Sequence, residues 1–175
     1  NANGLVSQLK NEWSVISAFL AREQPDVFCV QEVRLPAAGP AGCKRGDGKR
    51  RRRGEAKRET KQEKEDWQVV EKTILAALRK DYMVYWALAD WRYSGTALFV
   101  RRPLRPSSVA YTLPVLAATD AHASHRDVAD AAWHPEGRVI LASFETFDLL
   151  TTYAPNNGSD EASFARRAAW DAALL

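Results

Sequence analysis

The amino-acid sequence predicts an α/β layered domain with a mixed sheet, because of the order in which helical and strand-like segments follow one another. Helical spacing of apolar residues occurs at 10–22 and again at 65–80, and a short apolar run at 27–32 lies between them. From residue 83 onward the composition is strand-like, in the segments 83–88, 96–100, 108–113, 139–144 and 147–153. Helices that alternate with a strand and then give way to a series of strands are typical of a layered architecture.

The individual helices and strands are predicted from the spacing of apolar residues and from the residues that interrupt or cap each segment. The first helix has one face formed by Trp13, Ile16, Ser17 and Leu20. Pro25 and Asp26 interrupt the helical pattern, and the run 27–32 that follows is typical of a buried strand whose last residues emerge at a sheet edge. The second helix repeats the apolar spacing, in Trp67, Val70, Ile74, Leu75 and Leu78. Asp160 is the predicted N-cap of a last helix.

Length and composition indicate one folded domain. The chain has 175 residues, of which 46% are hydrophobic, with six Trp and six Phe, so it can bury a core and is not disordered throughout. It contains no apolar run of the roughly 18 residues that a membrane span needs, and no secretory leader, so no membrane association is expected. The first residue is Asn rather than Met, so we expect an N-terminal piece to precede it, and a targeting segment there stays open.

The net charge of +3 is concentrated in one segment. Residues 44–66 hold eleven basic and six acidic residues, which leaves 14 basic and 16 acidic residues elsewhere. The remainder of the chain is therefore close to neutral, and the pI near 9.0 says little about what it binds.

A basic insertion is predicted at about 36–65, where Gly, Pro, Ala and charged residues show no apolar periodicity, which is typical of disorder. The block 44–53 within it has three interpretations: a solvated insertion, which we favour, a nuclear import signal, or a flexible arm that raises DNA association. Two cysteines in unlike settings, Cys29 and Cys43, argue against a disulfide framework. We therefore expect an intracellular protein, with the nucleus favoured and an organelle as the alternative.

Polar residues at the ends of two predicted strands are candidates for chemistry. Glu32 ends the first strand at a sheet edge, where a carboxylate can hold Mg²⁺, although a solvated strand-end Glu is the alternative. Asn1 and Asn3 share a face if they lie on a strand, or else form a turn before a glycine. Tyr153 and Asn156 can donate to a phosphate oxygen, and they also fit a Pro-Asn-Asn-Gly turn.

The three histidines are weaker candidates for a metal site. His122 and His125 are three residues apart, but their Ala-rich and Asp-rich surroundings indicate a surface loop, and His134 precedes a proline in a turn. No further Cys or His ligands accompany them, so a metal site there is disfavoured.

Six short segments together carry a family resemblance. They are Asn-Ala-Asn-Gly-Leu at 1–5, Pro-Asp-Val at 25–27 with Val-Gln-Glu at 30–32, Tyr-Ser-Gly at 93–95, Glu-Gly-Arg-Val-Ile at 136–140, Tyr-Ala-Pro-Asn-Asn-Gly at 153–158, and Arg167 with Trp170 and Asp171. In this order they resemble the N-terminal half of exonuclease III type apurinic/apyrimidinic (AP) endonucleases. The resemblance covers the whole chain apart from the basic insertion. It implies the endonuclease/exonuclease/phosphatase fold, a layered β-sandwich flanked by helices, of which residues 1–175 are the incomplete N-terminal portion.

The resemblance also implies roles for the polar candidates. It makes Glu32 the main ligand of Mg²⁺, with Mn²⁺ as an alternative ion, and Asn3 a weaker second metal contact. Asn1 belongs to the hydrogen-bond network of the active site, and Tyr153 and Asn156 bind phosphate and stabilise the transition state. The implied DNA contacts are Arg34, Tyr93, Arg138, Asn157, Gly158 and Arg167.

Two of the implied DNA contacts keep a competing interpretation. Arg138 and Arg167 can instead form intramolecular ion pairs, with Glu136 and Asp171 as the nearby partners. The sequence also differs from the family pattern at Ser159, where many members have a basic residue. DNA binding at this position is therefore expected to be weaker.

The activity implied is Mg²⁺-dependent hydrolysis of the phosphodiester on the 5′ side of an abasic site in double-stranded DNA, by a monomer. Family members supply further Asp, Asn and His residues from their second half, in segments that this sequence does not contain. We therefore expect the 175 residues alone to be inactive. The alternatives are a DNA-binding relative without catalysis, and a phosphatase or phosphodiesterase of the same superfamily.

Overall fold

The structure, a computed structural model, describes residues 1–37, 60–89, 92–112 and 136–174. Its helices are α1 (Leu5–Asn11), α2 (Trp13–Glu23), α3 (Lys61–Val70), which continues through a π-helical segment (Glu71–Leu75) into α4 (Ala76–Leu78), and α5 (Glu161–Leu174). Its strands are β1 (Val27–Gln31), β2 (Tyr82–Ala87), β3 (Thr96–Arg101), β4 (Ser108–Ala110), β5 (Val139–Ser143) and β6 (Asp148–Thr152). None of the helices in these ranges is long and apolar enough to cross a membrane.

The strands form two three-stranded sheets, in the orders β1-β3-β2 and β4-β5-β6. Every pairing between the described strands is antiparallel, so the prediction of a mixed sheet is wrong for this part of the chain. The physical reason is that β1 and β2 run in the same direction but are separated by β3, which pairs with both. The sequence shows the strands but not which strand lies between two others.

The two sheets pack face to face and helices cover their outer faces. Between the sheets lies a cluster that includes Met83, Tyr85, Leu98, Val100, Val109, Ile140, Ala142 and Phe144. The other face of the first sheet packs against α1, α2 and α3 through Val84, Trp86 and Phe99, and Trp170 of α5 packs on Val139 of the second sheet. The order helix, sheet, sheet, helix confirms the predicted layered β-sandwich flanked by helices.

The predicted helix at 10–22 is two helices. The chain leaves helical geometry at Glu12, where φ is −123° and ψ is 14°, so α1 ends before α2 begins. Leu5 and Leu9 are four residues apart on α1 and both are buried, which gives α1 an apolar face of its own. The face predicted for the second of these helices is confirmed, since Leu20 is buried and Trp13 and Ile16 are partly buried against the same core.

The second predicted helix begins earlier than expected. Thr60 and Glu63 form a reciprocal capping box, in which the Thr60 side chain accepts from the Glu63 N–H and the Glu63 carboxylate accepts from the Thr60 N–H. The helix therefore starts at Lys61, and the predicted boundary of the insertion at residue 65 is wrong by several residues.

Several predictions fall on residues that the structure does not describe. Residues 38–59 of the basic insertion, Cys43 and the three histidines are outside the described ranges, so those predictions stay open. Cys29 is a free thiol, and burial raises its pKa.

One buried charge connects a helix to a loop. Asp66 of α3 is 2% exposed, and its carboxylate accepts hydrogen bonds from Arg92 and, over 3.0 Å, from Gln62. Arg92 precedes the Tyr-Ser-Gly segment at 93–95, so this ion pair fixes α3 against the loop that leads into β3. A buried carboxylate is tolerated only when it is paired and hydrogen-bonded, as it is here.

Gly137 occupies a position where no other residue fits. Its φ is 62°, and a Cβ atom there would lie 2.4 Å from the carbonyl oxygen of Ala87 and 2.5 Å from the Cα atom of Leu88. These atoms belong to the backbone of the facing sheet and cannot move aside as a flexible side chain would. The close approach lets residues 136–138 pack directly on the end of β2.

We expect Gly137→Ala to lower the free energy of unfolding by more than about 3 kcal/mol, because left-handed strain and a backbone clash add. Gly4→Ala is the matched control: φ there is also positive, at 101°, but the nearest atom to an added Cβ lies 3.9 Å away. That variant should cost about 1–2 kcal/mol from strain alone. Urea unfolding of both variants provides the measurement, and equal costs would contradict the role assigned to the close approach.

Candidate active site

The N-terminal segment lies beside the end of β1. The N–H groups of Ala2, Gly4 and Leu5 donate to the carbonyl oxygens of Gln31, Glu32 and Val33, over 2.9, 2.9 and 3.0 Å respectively. These bonds place Asn1 and Asn3 next to Glu32, although the two segments are about thirty residues apart in the sequence. The first residues of the chain therefore form part of the same sheet edge.

The backbone leaves strand geometry at Glu32. Glu32 has a φ of 57° and Arg34 a φ of 52°, and the N–H groups of Val33 and Arg34 donate to the carbonyl oxygens of Gly95 and Ser94. Among the described residues, five non-glycine residues have positive φ, and four of them are gathered here: Asn3, Glu32, Arg34 and Ser94. Such strained conformations concentrate at functional sites.

The Glu32 carboxylate is held by three groups from different parts of the chain. It accepts hydrogen bonds from Arg34, from Asn1 and from the phenol of Tyr153, and its side chain is only 13% exposed. Burial raises the pKa of Glu32, but the bonds from Asn1 and Arg34, the Arg34 charge and the bond from Tyr153 outweigh it. The net effect lowers the pKa, so the carboxylate stays ionised.

Tyr153 follows β6 and faces Glu32. Burial raises the pKa of Tyr153, and the charge and hydrogen bond of Glu32 raise it further, against a smaller opposing effect of Arg138. The raised pKa keeps the phenol protonated, so Tyr153 can donate a hydrogen bond.

Arg138 is buried, with only 1% of its surface exposed. Its guanidinium donates to the Glu136 carboxylate, to the Tyr153 carbonyl oxygen over 2.8 Å and to the Tyr93 hydroxyl over 3.0 Å. The structure therefore has the intramolecular ion pair that was the competing interpretation, and the role of Arg138 as a DNA contact stays a prediction. All three of its guanidinium nitrogens donate within the protein, so the structure favours the ion pair.

Arg167 also forms the intramolecular ion pair that was the competing interpretation, with Asp171 as its partner. Its Nε donates to Asp171 over 2.8 Å, one turn along α5, and its Nη1 donates to the Pro155 carbonyl oxygen over 3.2 Å. The side chain remains 36% exposed. Arg167 thus links α5 to the loop that follows Tyr153, and its role as a DNA contact stays a prediction.

The loop at 155–158 is exposed beside the Glu32 cluster. The Asn156 amide oxygen accepts from the Gly158 N–H over 3.4 Å, which is the turn-forming arrangement. Asn157 is exposed as well. Beyond the loop, Asp160 directly precedes α5, and its carboxylate accepts a hydrogen bond from the Ser163 N–H, as predicted for an N-cap. Among the described residues no contact joins Asn156 to Glu32, whereas the Tyr153 phenol does contact Glu32.

The remaining predicted contacts lie at the rim of the Glu32 cluster. Tyr93 is 42% exposed with its hydroxyl held by Arg138, and the Arg34 side chain is 47% exposed while it bonds Glu32. Asn3 is exposed, and its N–H donates to the Asn1 amide oxygen over 2.8 Å. Both aromatic and basic surface are therefore available at this edge of the sheet.

The oxygen atoms at the site suit a hard divalent cation. Within the described ranges no group of three or more His, Cys, Asp or Glu residues is gathered that could hold a metal ion. Mg²⁺ is bound in many proteins by one or two carboxylates with water and phosphate oxygens, and an ionised Glu32 next to amide oxygens fits that pattern. Glu32 would hold such an ion, with the exposed Asn3 amide as a weaker contact, and the ion must compete with the Arg34 guanidinium for the carboxylate.

Sequence reasoning missed how the Tyr-Ser-Gly segment shapes the site. The carbonyl oxygens of Ser94 and Gly95 hold the backbone of Val33 and Arg34 in its unusual conformation. The segment stood out only through the family resemblance, because nothing in its composition indicates that its carbonyl groups face another strand end.

Comparison with known proteins agrees with this arrangement. Residues 1–174 match the Endonuclease/Exonuclease/phosphatase family. The chain belongs to this family. The match takes in the N-terminal segment, both sheets and α5, so the family covers every element that contributes to the Glu32 cluster.

An AP endonuclease of Arabidopsis thaliana is 40% identical to this chain over 177 residues. The match spans all of this chain and 43% of that protein. An AP endonuclease of Plasmodium berghei is 36% identical, over 98% of this chain and 32% of that protein. An exodeoxyribonuclease of Bacillus subtilis is 34% identical over 55% of this chain and 32% of that protein. The chain therefore spans less than half the length of these relatives.

Solved structures of the family share the fold. AP endonuclease LMAP from Leishmania major has a TM-score of 0.59 at 19% identity, with 99% of this chain and 44% of that chain covered. An AP endonuclease from Archaeoglobus fulgidus has a TM-score of 0.52 at 17% identity, with 98% and 46% covered. The described sheets and helices thus correspond to somewhat less than half of these structures.

The lowered pKa of Glu32 predicts a pH dependence of stability. Since the pKa is lower in the folded chain than in the unfolded one, ionised Glu32 stabilises the fold above its ordinary pKa. This contribution is lost as the pH falls through the folded-state value. In metal-free buffer, the difference in unfolding free energy between the wild type and Glu32→Gln should therefore shrink between about pH 7 and pH 3.

Urea unfolding across that range measures the effect. Glu145→Gln is the matched control, because Glu145 is exposed in the turn between β5 and β6. A difference between wild type and Glu32→Gln that stays constant with pH would contradict the assigned ionisation.

Proposed function

We propose that this chain is the N-terminal part of a DNA repair endonuclease that hydrolyses the phosphodiester 5′ to an abasic site in double-stranded DNA. The observation that carries the proposal is the ionised Glu32 carboxylate, which Asn1 and Tyr153 reach from distant parts of the sequence. The relatives named AP endonuclease, at 36–40% identity, support the same reaction class. Exonuclease activity is the second candidate, since one relative is named exodeoxyribonuclease.

In this mechanism Glu32 binds the cation and Asn1 orients the carboxylate. A bound Mg²⁺, or Mn²⁺, would supply Lewis-acid polarisation of the phosphate. Arg34, which bonds Glu32 in the structure, would then offer its charge to the DNA backbone. Asn3, which is exposed beside Glu32, would contribute a neutral amide oxygen and thus only a weak second contact.

Tyr153 and Asn156 would act on the phosphate itself. The Tyr153 phenol, which keeps its proton, donates to a nonbridging oxygen as negative charge grows on it. The Asn156 amide NH2 group, exposed in the next loop, would add a second donor, since the turn contact with Gly158 uses only the amide oxygen. Water attacks phosphorus, the bond from phosphorus to the upstream 3′ oxygen breaks, and that oxygen leaves with a proton as a 3′-hydroxyl group.

DNA would bind across the rim that carries Arg34, Tyr93, Asn157, Gly158 and Arg167. The globular part is nearly neutral, so we propose contacts by a few placed side chains rather than by a broad basic surface. We further propose a monomeric, intracellular enzyme that acts in the nucleus if the basic insertion is an import signal, with an organelle as the alternative.

Two substitutions in the full-length protein test the proposal. Glu32→Gln should lower kcat for cleavage of an abasic duplex by about 10²-fold or more, because the cation loses its carboxylate, and Tyr153→Phe by about 10²-fold, because one donor is lost. Glu145→Gln, an exposed carboxylate in a distant turn, should leave kcat unchanged. Chelation by EDTA should abolish cleavage, and added Mg²⁺ should restore it.

The assay is gel resolution of a 5′-labelled duplex with one abasic analogue. Full activity of Glu32→Gln, or full activity in EDTA, would refute the metal-dependent nuclease. Cleavage of a nucleotide or phosphoinositide without cleavage of DNA would favour the phosphatase alternative, and binding without cleavage would favour the noncatalytic relative.

We also propose that residues 1–175 alone do not cleave DNA, because the chain covers only 43% of the Arabidopsis relative and groups that act as a unit fail together. The expected rate is at least about 10³-fold below that of the full-length protein. Circular dichroism provides the control for folding of the purified chain. Cleavage by the folded chain within tenfold of the full-length rate would overturn this proposal.

A further inference from the structure

We infer that Arg138 is a positioning residue that acts through Tyr153 and Tyr93, and that it does not bind the DNA backbone. The inference rests on the nuclease function proposed above. It assigns a task to the most deeply buried cation among the described residues, whose exposed fraction is 1%.

The guanidinium of Arg138 is used on all sides. Its Nε donates to Glu136, its Nη1 to the Tyr153 carbonyl oxygen over 2.8 Å and its Nη2 to the Tyr93 hydroxyl over 3.0 Å. The ion pair with Glu136 compensates the buried positive charge. A phosphate could reach this group only if these partners were first displaced.

Two aromatic rings enclose the same cation. The Cζ atom of Arg138 lies 5.0 Å from the centre of the Tyr153 ring and 5.4 Å from that of the Tyr93 ring. Both distances fall within the range of cation–π attraction, which increases when the cation is removed from water. Arg138 therefore contacts both phenol rings with the same cation.

The backbone of Tyr153 is bound to Arg138 at both ends. The Tyr153 N–H donates to the Arg138 carbonyl oxygen over 2.9 Å, and the Tyr153 carbonyl accepts from the Arg138 side chain. The phenol of the same residue bonds Glu32. A change in Arg138 therefore moves the group that is proposed to donate to the phosphate.

Arg138 is itself fixed by the backbone on which it sits. The Gly137 carbonyl oxygen accepts from the Thr96 hydroxyl over 3.0 Å, and the Glu136 carbonyl oxygen accepts from the Gly95 N–H over 3.3 Å. These bonds tie residues 136–138 to the end of the first sheet, beside Tyr93 and Ser94. The network thus joins three of the segments that carried the family resemblance.

The shape of the arginine side chain distinguishes positioning from DNA binding. A lysine keeps the charge and binds phosphate as a point charge, but it cannot donate in the three fixed directions that Arg138 uses. If Arg138 contacted a phosphate, Arg138→Lys would keep most of the function. If it positions Tyr153, the same substitution removes the geometry and retains only the charge.

The experiment compares Arg138→Lys with wild type in the full-length protein. We expect kcat for an abasic duplex to fall about 10- to 100-fold, since small misplacements of reacting groups cost this much, with KM within about threefold of wild type. The slope of log Kd against log salt, measured in EDTA with the same duplex, should not change. Arg101→Lys is the matched control: Arg101 also has intramolecular partners, a hydrogen bond to Gln24 and an ion pair with Asp26, at the opposite end of the first sheet.

Two results would overturn the inference. One is a near-normal kcat for Arg138→Lys together with a reduced salt slope for Arg138→Met, which would identify a phosphate contact. The other is a double variant, Arg138→Lys with Tyr153→Phe, whose loss in kcat equals the two separate losses combined. A residue that acts through Tyr153 should instead lose most of its effect on kcat once Tyr153 is replaced by Phe.

A stability cycle separates this inference from the nuclease proposal. Arg138→Lys and Tyr93→Phe should shift the urea midpoint by less together than the sum of their separate shifts, since they share one hydrogen bond. Additive shifts would show that the network is not formed, whatever the activity of the protein. If wild type cleaves no abasic duplex, the nuclease proposal fails, and this cycle still decides whether Arg138 holds Tyr93.

Discussion

A single ionised carboxylate, that of Glu32, constrains the structure around it. To keep Glu32 charged while it is mostly covered, the fold must bring it hydrogen-bond donors, and these come from Asn1, Arg34 and Tyr153. Each donor needs its own support. The N-terminal segment is bonded along the end of β1, the segment 33–34 is bonded to the Ser94 and Gly95 carbonyl oxygens, and Tyr153 is bonded to Arg138.

This arrangement explains why the layered fold matters for the chemistry. Glu32 follows a strand of one sheet and Tyr153 follows a strand of the other, so the face-to-face packing of the sheets sets the distance between them. A hydrogen bond from Gln31 to Thr151, over 3.5 Å, crosses between the same two strand ends. Family members in general can differ in substrate while they keep this frame, because the rim residues lie in loops beyond it.

The sequence was sufficient for features that depend on local pattern. The position of Glu32 after an apolar run, the buried face of α2 and the N-cap at Asp160 were all predicted from spacing and residue type. Features that depend on partners far apart in the sequence could not be predicted in this way. Whether Arg138 faces solvent or Glu136, and whether β3 lies between β1 and β2, is decided by tertiary packing, which a single sequence does not display.

The ion pair between Asp66 and Arg92 has an evolutionary consequence. On one side of the undescribed segment 38–59, the Ala37 N–H donates to the Ala89 carbonyl oxygen, and on the other side Asp66 binds Arg92. Both flanks are thus fastened to nearly the same stretch of the domain. Since doubling the length of chain between two fixed points costs only about 0.6 kcal/mol more, changes in the length of this segment during evolution should cost the domain little stability.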